Sequence, residues 1–191
     1  MALDSETRWR LARKAKASPV AAQASGEVTI RPALETDMVS VSEIYNYYIQ
    51  NSVVTFDLEL LSLNDWIEKY RWLVGLQLPF LVADTDSGYI LGFAYVAPWR
   101  QKAAYKRTVE NSIYLRPAAT GKRVGTRLMT ELMTQAKAAG VKEIVAVISD
   151  KGAESSIKMH ESMGFKHQGH LGKVGFKFGR WLGTVLLQKS L

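Results

Sequence analysis

From residue 28 onward, short runs of apolar, β-prone residues alternate with longer runs whose apolar positions recur at three- and four-residue spacing. VTIRPA (28–33) predicts a strand. Thr36 and Asp37 then offer helix caps ahead of Met38, Val41, Ile44, Tyr45 and Tyr48, which share one helical face. Ser62 with Asp65 three residues on predicts a second helix start, before Trp66, Ile67 and Tyr70. PFLVAD (79–84) and YILGFAYVA (89–97), separated by Thr-Asp-Ser-Gly, predict a hairpin. TVENSIYL (108–115) predicts a further strand, and Val124, Leu128, Leu132, Met133 and Ala136 a helix that Gly140 stops. KEIVAVI (142–148) predicts a buried strand and SSIKMHESMG (155–164) a short helix. FKHQGHLG (165–172) and WLGTVLLQ (181–188) predict closing strands. Antiparallel strands followed by a β-α-β crossover imply one mixed α/β domain over residues 28–191.

Residues 1–27 lack a core-forming pattern. Arg8, Arg10, Arg13, Lys14 and Lys16 precede the small-residue stretch SPVAAQASG, which suits a flexible basic tail. A short basic helix or an organelle-targeting segment are the other readings, the latter weakened by Asp4 and Glu6. No apolar run approaches the roughly 18 residues of a membrane span. The chain has 191 residues and no cysteine, so disulfide frameworks, thiolate metal sites and cysteine nucleophiles are excluded, and a cytoplasmic location is expected. A net charge of +7 favours an anionic partner: nucleic acid, an acidic membrane or a polyphosphate cosubstrate.

ATGKRVG lies between the 108–115 strand and the following helix. A loop there presents free N–H groups and the positive end of the helix dipole to an anion such as a pyrophosphate. Lys122, Arg123 and Arg127 add positive charge beside it. An ordinary tight turn would read the same way. Neither a Walker Gly-Lys-Ser/Thr nor a G-x-G-x-x-G pattern is present, which excludes the common nucleotide folds.

Three blocks resemble the GNAT acetyltransferase superfamily, and within it the phosphinothricin and methionine sulfoximine N-acetyltransferases. They are GFAYVAPWRQKAAYKRTVENSIYL (92–115), HESMGF (160–165) and VGFKFGRW (174–181), in the family's order. The resemblance implies a GNAT acyl-CoA N-acyltransferase fold with a mixed central sheet flanked by helices. It implies acetyl-CoA as cosubstrate, no metal, a small amine acceptor rather than nucleic acid, and a homodimer with FGRW near the active site. By position it implies Glu110 as general base and His160 where many members carry a tyrosine acid. Ile113, Tyr114 and Leu115 match the strand that pairs with the pantetheine arm. Gly121, Lys122, Arg123, Val124, Gly125 and Thr126 match the pyrophosphate loop. Arg100, Gln101 and Lys102, with Glu110, Asn111 and Ser112, match acceptor-binding positions.

The chemistry suits these residue types. Acetyl transfer to an amine needs a base for the ammonium proton, donors for the thioester carbonyl and a proton for the leaving thiolate. A carboxylate, backbone N–H groups near Leu115 and an imidazole supply one each. Two departures stand out. Arg123 occupies a place usually held by glycine, where its Cβ would obstruct a phosphate or its guanidinium would bind one. Ala153 stands where an asparagine is usual. The competing expectation is a GNAT-fold binding protein without catalysis, directed at nucleic acid or an acidic partner.

Overall fold

The computed structural model describes residues 27–191. The basic segment expected over residues 1–27 lies, apart from Glu27, outside the described residues. The elements are β1 (Val28–Pro32), α1 (Met38–Asn51), α2 (Leu63–Gly75), β2 (Phe80–Thr85), β3 (Ile90–Pro98), β4 (Thr108–Leu115), α3 (Val124–Ala138), β5 (Glu143–Ser149), α4 (Glu154–Ser162), β6 (Lys166–Lys177) and β7 (Arg180–Ser190). Seven strands form one sheet in the order β1-β2-β3-β4-β5-β7-β6. All neighbours are antiparallel except β4 and β5, which the α3 crossover makes parallel.

Two cores cover the two faces. Met38, Val41, Ile44, Trp66 and Leu73 of α1 and α2 pack on Phe80, Val82, Phe93 and Tyr95. Val124, Leu128, Met129 and Leu132 of α3 pack on Leu81, Ala94, Val109 and Ile144 from the other side. Strands covered on both faces are buried at nearly every position, which is why β2 and β3 read as continuous apolar runs.

The start of α2 has the expected capping box: the Asp65 N–H donates to Ser62 Oγ at 3.2 Å and the Ser62 N–H to Asp65 Oδ2 at 2.7 Å. The start of α1 differs from the expectation. Neither Thr36 nor Asp37 caps it through a side chain, because a short 3₁₀ turn (Glu35–Asp37) precedes it. The Asp37 carboxylate turns back to accept the Leu34 N–H at 2.7 Å and the Arg31 guanidinium at 2.7 Å. Gly140 ends α3 at φ +86°. The last two strands are longer than expected. β6 is an exposed edge strand with register shifts after His167 and Leu171, so its apolar alternation is interrupted.

The feature that creates a site is a gap in the sheet. β4 and β5 pair only at Thr108–Glu143, Val109–Ile144 and Glu110–Val145. Beyond Glu110, β4 continues to Leu115 and β5 to Ser149 without meeting. The edge of β4 that faces β5 is therefore open over residues 111–115, and its unpaired peptide groups are available to an extended ligand.

Candidate active site

Strand alternation divides β4 between the two faces. Ile113 and Leu115 pack against α3, where their side chains lie beside Gly125. Asn111 shares that parity, and its Nδ2 reaches Met129 Sδ of α3 at 3.7 Å. Ser112 and Glu110 share the opposite parity with Tyr114, whose ring joins the aromatic group of Tyr45, Tyr48 and Phe93. The six acceptor positions expected from sequence are thus not one surface. Glu110 and Ser112 face α1 and α2, whereas Asn111 is buried on the other side.

Glu110 sits at the last paired position before the gap, opposite Ala97 of β3 and Val145 of β5. Burial pushes its carboxyl above the usual range, and the positive charge of Lys69 partly offsets that. A carboxylate so placed is a stronger base than one in water.

His160 lies across the sheet from Glu110, on α4, and is 1% exposed. Its Nδ1 is 2.8 Å from the Ser156 carbonyl, which can only accept, so Nδ1 carries the proton. Nε2 then accepts from Asn111 Nδ2 at 3.0 Å. Burial lowers the imidazole pKa, which favours the neutral ring. The remaining polar atom of the pair, Asn111 Oδ1, is buried without a hydrogen-bond partner. An orphaned acceptor beside the open edge of β4 is what a site built for a donor-bearing ligand would show.

The loop before α3 has the geometry of an anion site. Gly121 adopts φ +74°. Arg123 adopts φ +61°, the left-handed conformation that glycine would take at no cost, and places its side chain in solvent. Lys122 and Thr126 are also exposed, while Val124 and Gly125 are buried in the first turn. No side chain caps α3, so its leading N–H groups remain available for phosphate oxygens. Gly125 faces inward: a Cβ there would lie 3.3 Å from Met159 Sδ and 3.4 Å from Leu115 Cδ1. Its small size keeps α3 close to α4 and β4. Ala153 is buried at the start of α4 and brings no side-chain cap.

Arg100, Gln101 and Lys102 are exposed after the end of β3 and, with Tyr105, line an open depression. The Arg100 guanidinium lies 5.3 Å from the Trp99 ring centroid, and the Trp99 N–H donates to the Thr108 carbonyl at 3.2 Å. That bond anchors this basic loop to the strand carrying Glu110.

Several participants escaped the sequence reading. The Tyr48 hydroxyl donates to the Leu115 carbonyl at 2.6 Å, fixing the end of the open edge. The Tyr45 hydroxyl donates to Asp57 Oδ2 at 2.7 Å and lies 2.8 Å from Thr55 Oγ1. Lys177, 3% exposed, donates to the Thr55 carbonyl at 2.9 Å and so ties the β6–β7 hairpin to the α1–α2 connection. Both tyrosines were legible only as apolar-face residues of α1. Lys177 lay within VGFKFGRW, but nothing in the pattern marked it as buried.

The acetyltransferase (GNAT) family model matches residues 42–165, and the chain belongs to that family. A phosphinothricin N-acetyltransferase of Streptomyces viridochromogenes is 36% identical over 163 residues, covering 85% of this chain and 87% of the relative. An L-methionine sulfoximine/L-methionine sulfone acetyltransferase of Salmonella typhimurium is 32% identical over 164 residues, covering 86% and 95%. Among solved structures, a GNAT superfamily phosphinothricin acetyltransferase of Sinorhizobium meliloti in complex with acetyl-CoA superposes with a TM-score of 0.82. It is 38% identical, with 86% of this chain and 88% of that one covered. The protein is an N-acetyltransferase that takes acetyl-CoA as cosubstrate, as the resemblance implied. These findings support the enzyme and not the binding-protein alternative.

Proposed function

We infer that the enzyme acetylates the amine of a small amino-acid-like acceptor of the phosphinothricin, methionine sulfoximine or methionine sulfone type. The observation that carries this reading is Glu110 at the mouth of the β4–β5 gap, buried and paired with Ala97 of the strand that runs on into the exposed basic loop 100–102. Acetyl-CoA supplies the acetyl group as a thioester. The open edge of β4, Ile113 to Leu115, would hold its extended arm, and Gly121 to Thr126 its phosphates. Glu110 takes the proton of the acceptor ammonium, directly or through one water, and so frees the nitrogen lone pair. Arg100 and Lys102 offer cations to the acceptor's carboxylate, the arginine as a bidentate fork. His160, neutral and bonded through both nitrogens, supports the gap by holding Asn111; this geometry favours positioning over proton donation to sulfur.

The test is thiol release from acetyl-CoA across an acceptor panel. Methionine sulfoximine, methionine sulfone and phosphinothricin should be turned over at least tenfold more efficiently than spermidine, whose cations meet like charge at Arg100 and Lys102. Polyamines outperforming every amino-acid analogue would reverse the assignment.

A homodimer belongs to the same reading. Leu171, Val174, Phe176 and Trp181 stand exposed on the β6–β7 hairpin, with the rings of Phe176 and Trp181 5.4 Å apart. A second copy covering this ribbon would remove that apolar surface from water. Light scattering should give twice the 21.3 kDa chain mass at micromolar concentration; a value of 21.3 kDa would remove the dimer. Among the described residues no helix is long and apolar enough to cross a membrane. We place the enzyme in the cytoplasm, where a cysteine-free chain fits a reducing compartment.

A further inference from the structure

Lys69 lies on α2, in a helix whose polar positions otherwise face solvent. Its ammonium does not reach into water freely. Nζ lies 4.8 Å from the ring centroid of Tyr95 and 5.2 Å from that of Trp66, so two aromatic faces hold the charge over the sheet. Tyr95 pairs with Ser112 in the β3–β4 ladder, and Ala97 pairs with Glu110. All four therefore project to the same face, and Glu110 is the diagonal neighbour of Tyr95, roughly 7 Å away. The side chain that follows Tyr95 on the same face of β3 is Ala97, which is small and uncharged. No ion pair within 4.0 Å joins the two among the described residues. The cation held over Trp66 and Tyr95 thus lies on the same face of the sheet as the Glu110 carboxylate, at the mouth of the β4–β5 gap.

We propose that Lys69 is a positioning residue for the transfer reaction: the charge that Trp66 and Tyr95 hold above Glu110 keeps the base ionised as the acceptor arrives. This inference rests on Glu110 being the base. The surroundings of Glu110 leave the task to Lys69. Ala97 on β3 and Val145 on β5 are uncharged, and Lys69 on α2 is the one charged side chain among the described residues that lowers the Glu110 pKa. Burial acts in the opposite sense and is the larger effect. Without Lys69 the carboxyl would hold its proton to higher pH, and a protonated carboxyl cannot accept one from the amine.

The experiment is the pH profile of kcat/KM with one amino-acid acceptor held constant, for the wild type and for Lys69→Met, Lys69→Gln, Lys69→Arg and Glu110→Gln. Methionine keeps the apolar stem on the two rings and removes the charge; glutamine is a second neutral variant should methionine fold poorly. The acidic limb should move to higher pH in both neutral variants, since removing the cation disfavours the ionised carboxylate. It should stay in place in Lys69→Arg, and in Glu110→Gln it should give way to the higher-pH ionisation of the acceptor ammonium itself. A purely structural role for Lys69 would lower activity at every pH without moving the limb. An unmoved limb in a folded neutral variant, with the limb displaced to the acceptor's ionisation in Glu110→Gln, overturns the role of Lys69 alone. An acidic limb unchanged in position in Glu110→Gln overturns the assignment of the base beneath it.

Discussion

Replacing Glu110 by glutamine should lower turnover by roughly 10²–10⁴-fold, the usual contribution of a positioned acid–base group. The substitution keeps the volume and removes only the basicity. The fold is not expected to notice, because the Glu110 carboxylate has no hydrogen-bond partner among the described residues and its burial disfavours the charged form. Acetyl-CoA affinity should stay within about twofold, since the carboxylate faces α1 and α2 while the phosphate loop and Asn111 lie on the other side of β4. Steady-state thiol release combined with calorimetric titration separates the two quantities. His160→Ala should cost less turnover, because the imidazole, bonded through both nitrogens to Asn111 and Ser156, positions the gap and transfers no proton. If His160→Ala proved the more damaging change while Glu110→Gln was nearly silent, the base would be the imidazole.

The largest effect on stability should come from Trp66→Ala. Trp66 is fully buried and makes edge-to-face contacts with Tyr45, Phe93 and Tyr95 at 5.2, 5.5 and 6.3 Å. Removing such a side chain typically costs about 3–5 kcal/mol, partly through lost transfer energy and partly through the cavity left behind. Against a total stability of roughly 5–15 kcal/mol, that is a large fraction. Trp66→Phe should cost less, about 1–2 kcal/mol. The indole Nε1 is buried without a hydrogen-bond partner, so its removal relieves a desolvation penalty that offsets part of the lost packing. Urea unfolding measures both. A Trp66→Ala midpoint indistinguishable from wild type would mean that the ring lies outside the folding core. The same substitution removes one of the two rings beneath Lys69, which couples core packing to the electrostatics of the base.

Most of the architecture was legible because its determinants are local. The Ser62–Asp65 box, the 79–97 hairpin and the α3 face each depend on residues within a few positions of one another. So did the strand bearing Glu110, whose limits 108–115 agree with β4. The active site depends on relations that periodicity does not encode. Nothing in TVENSIYL or KEIVAVI says that the two strands pair for three registers and then part. Alternation did imply that Glu110 and Asn111 face opposite ways, yet reading residues 110–112 as one block conceals it. At Arg123 the departure from glycine was visible, while its outcome was not. The backbone keeps the left-handed turn, and the Arg123 side chain is exposed to solvent. Lys69 was invisible for a related reason: a lysine on an amphipathic helix looks like any solvated charge until the two rings beneath it are known.

The placement of acetyl-CoA along the open edge of β4 carries everything else, and amide hydrogen exchange with and without acetyl-CoA tests it most directly. Binding should slow exchange at Asn111 to Leu115, whose outward peptide groups have no strand partner, and at Gly121 to Thr126 before α3, while the β2–β3 hairpin stays unchanged. Protection confined to other elements, with the 111–115 edge exchanging as fast as in the free protein, would place the cosubstrate elsewhere and separate Glu110 from the chemistry assigned to it.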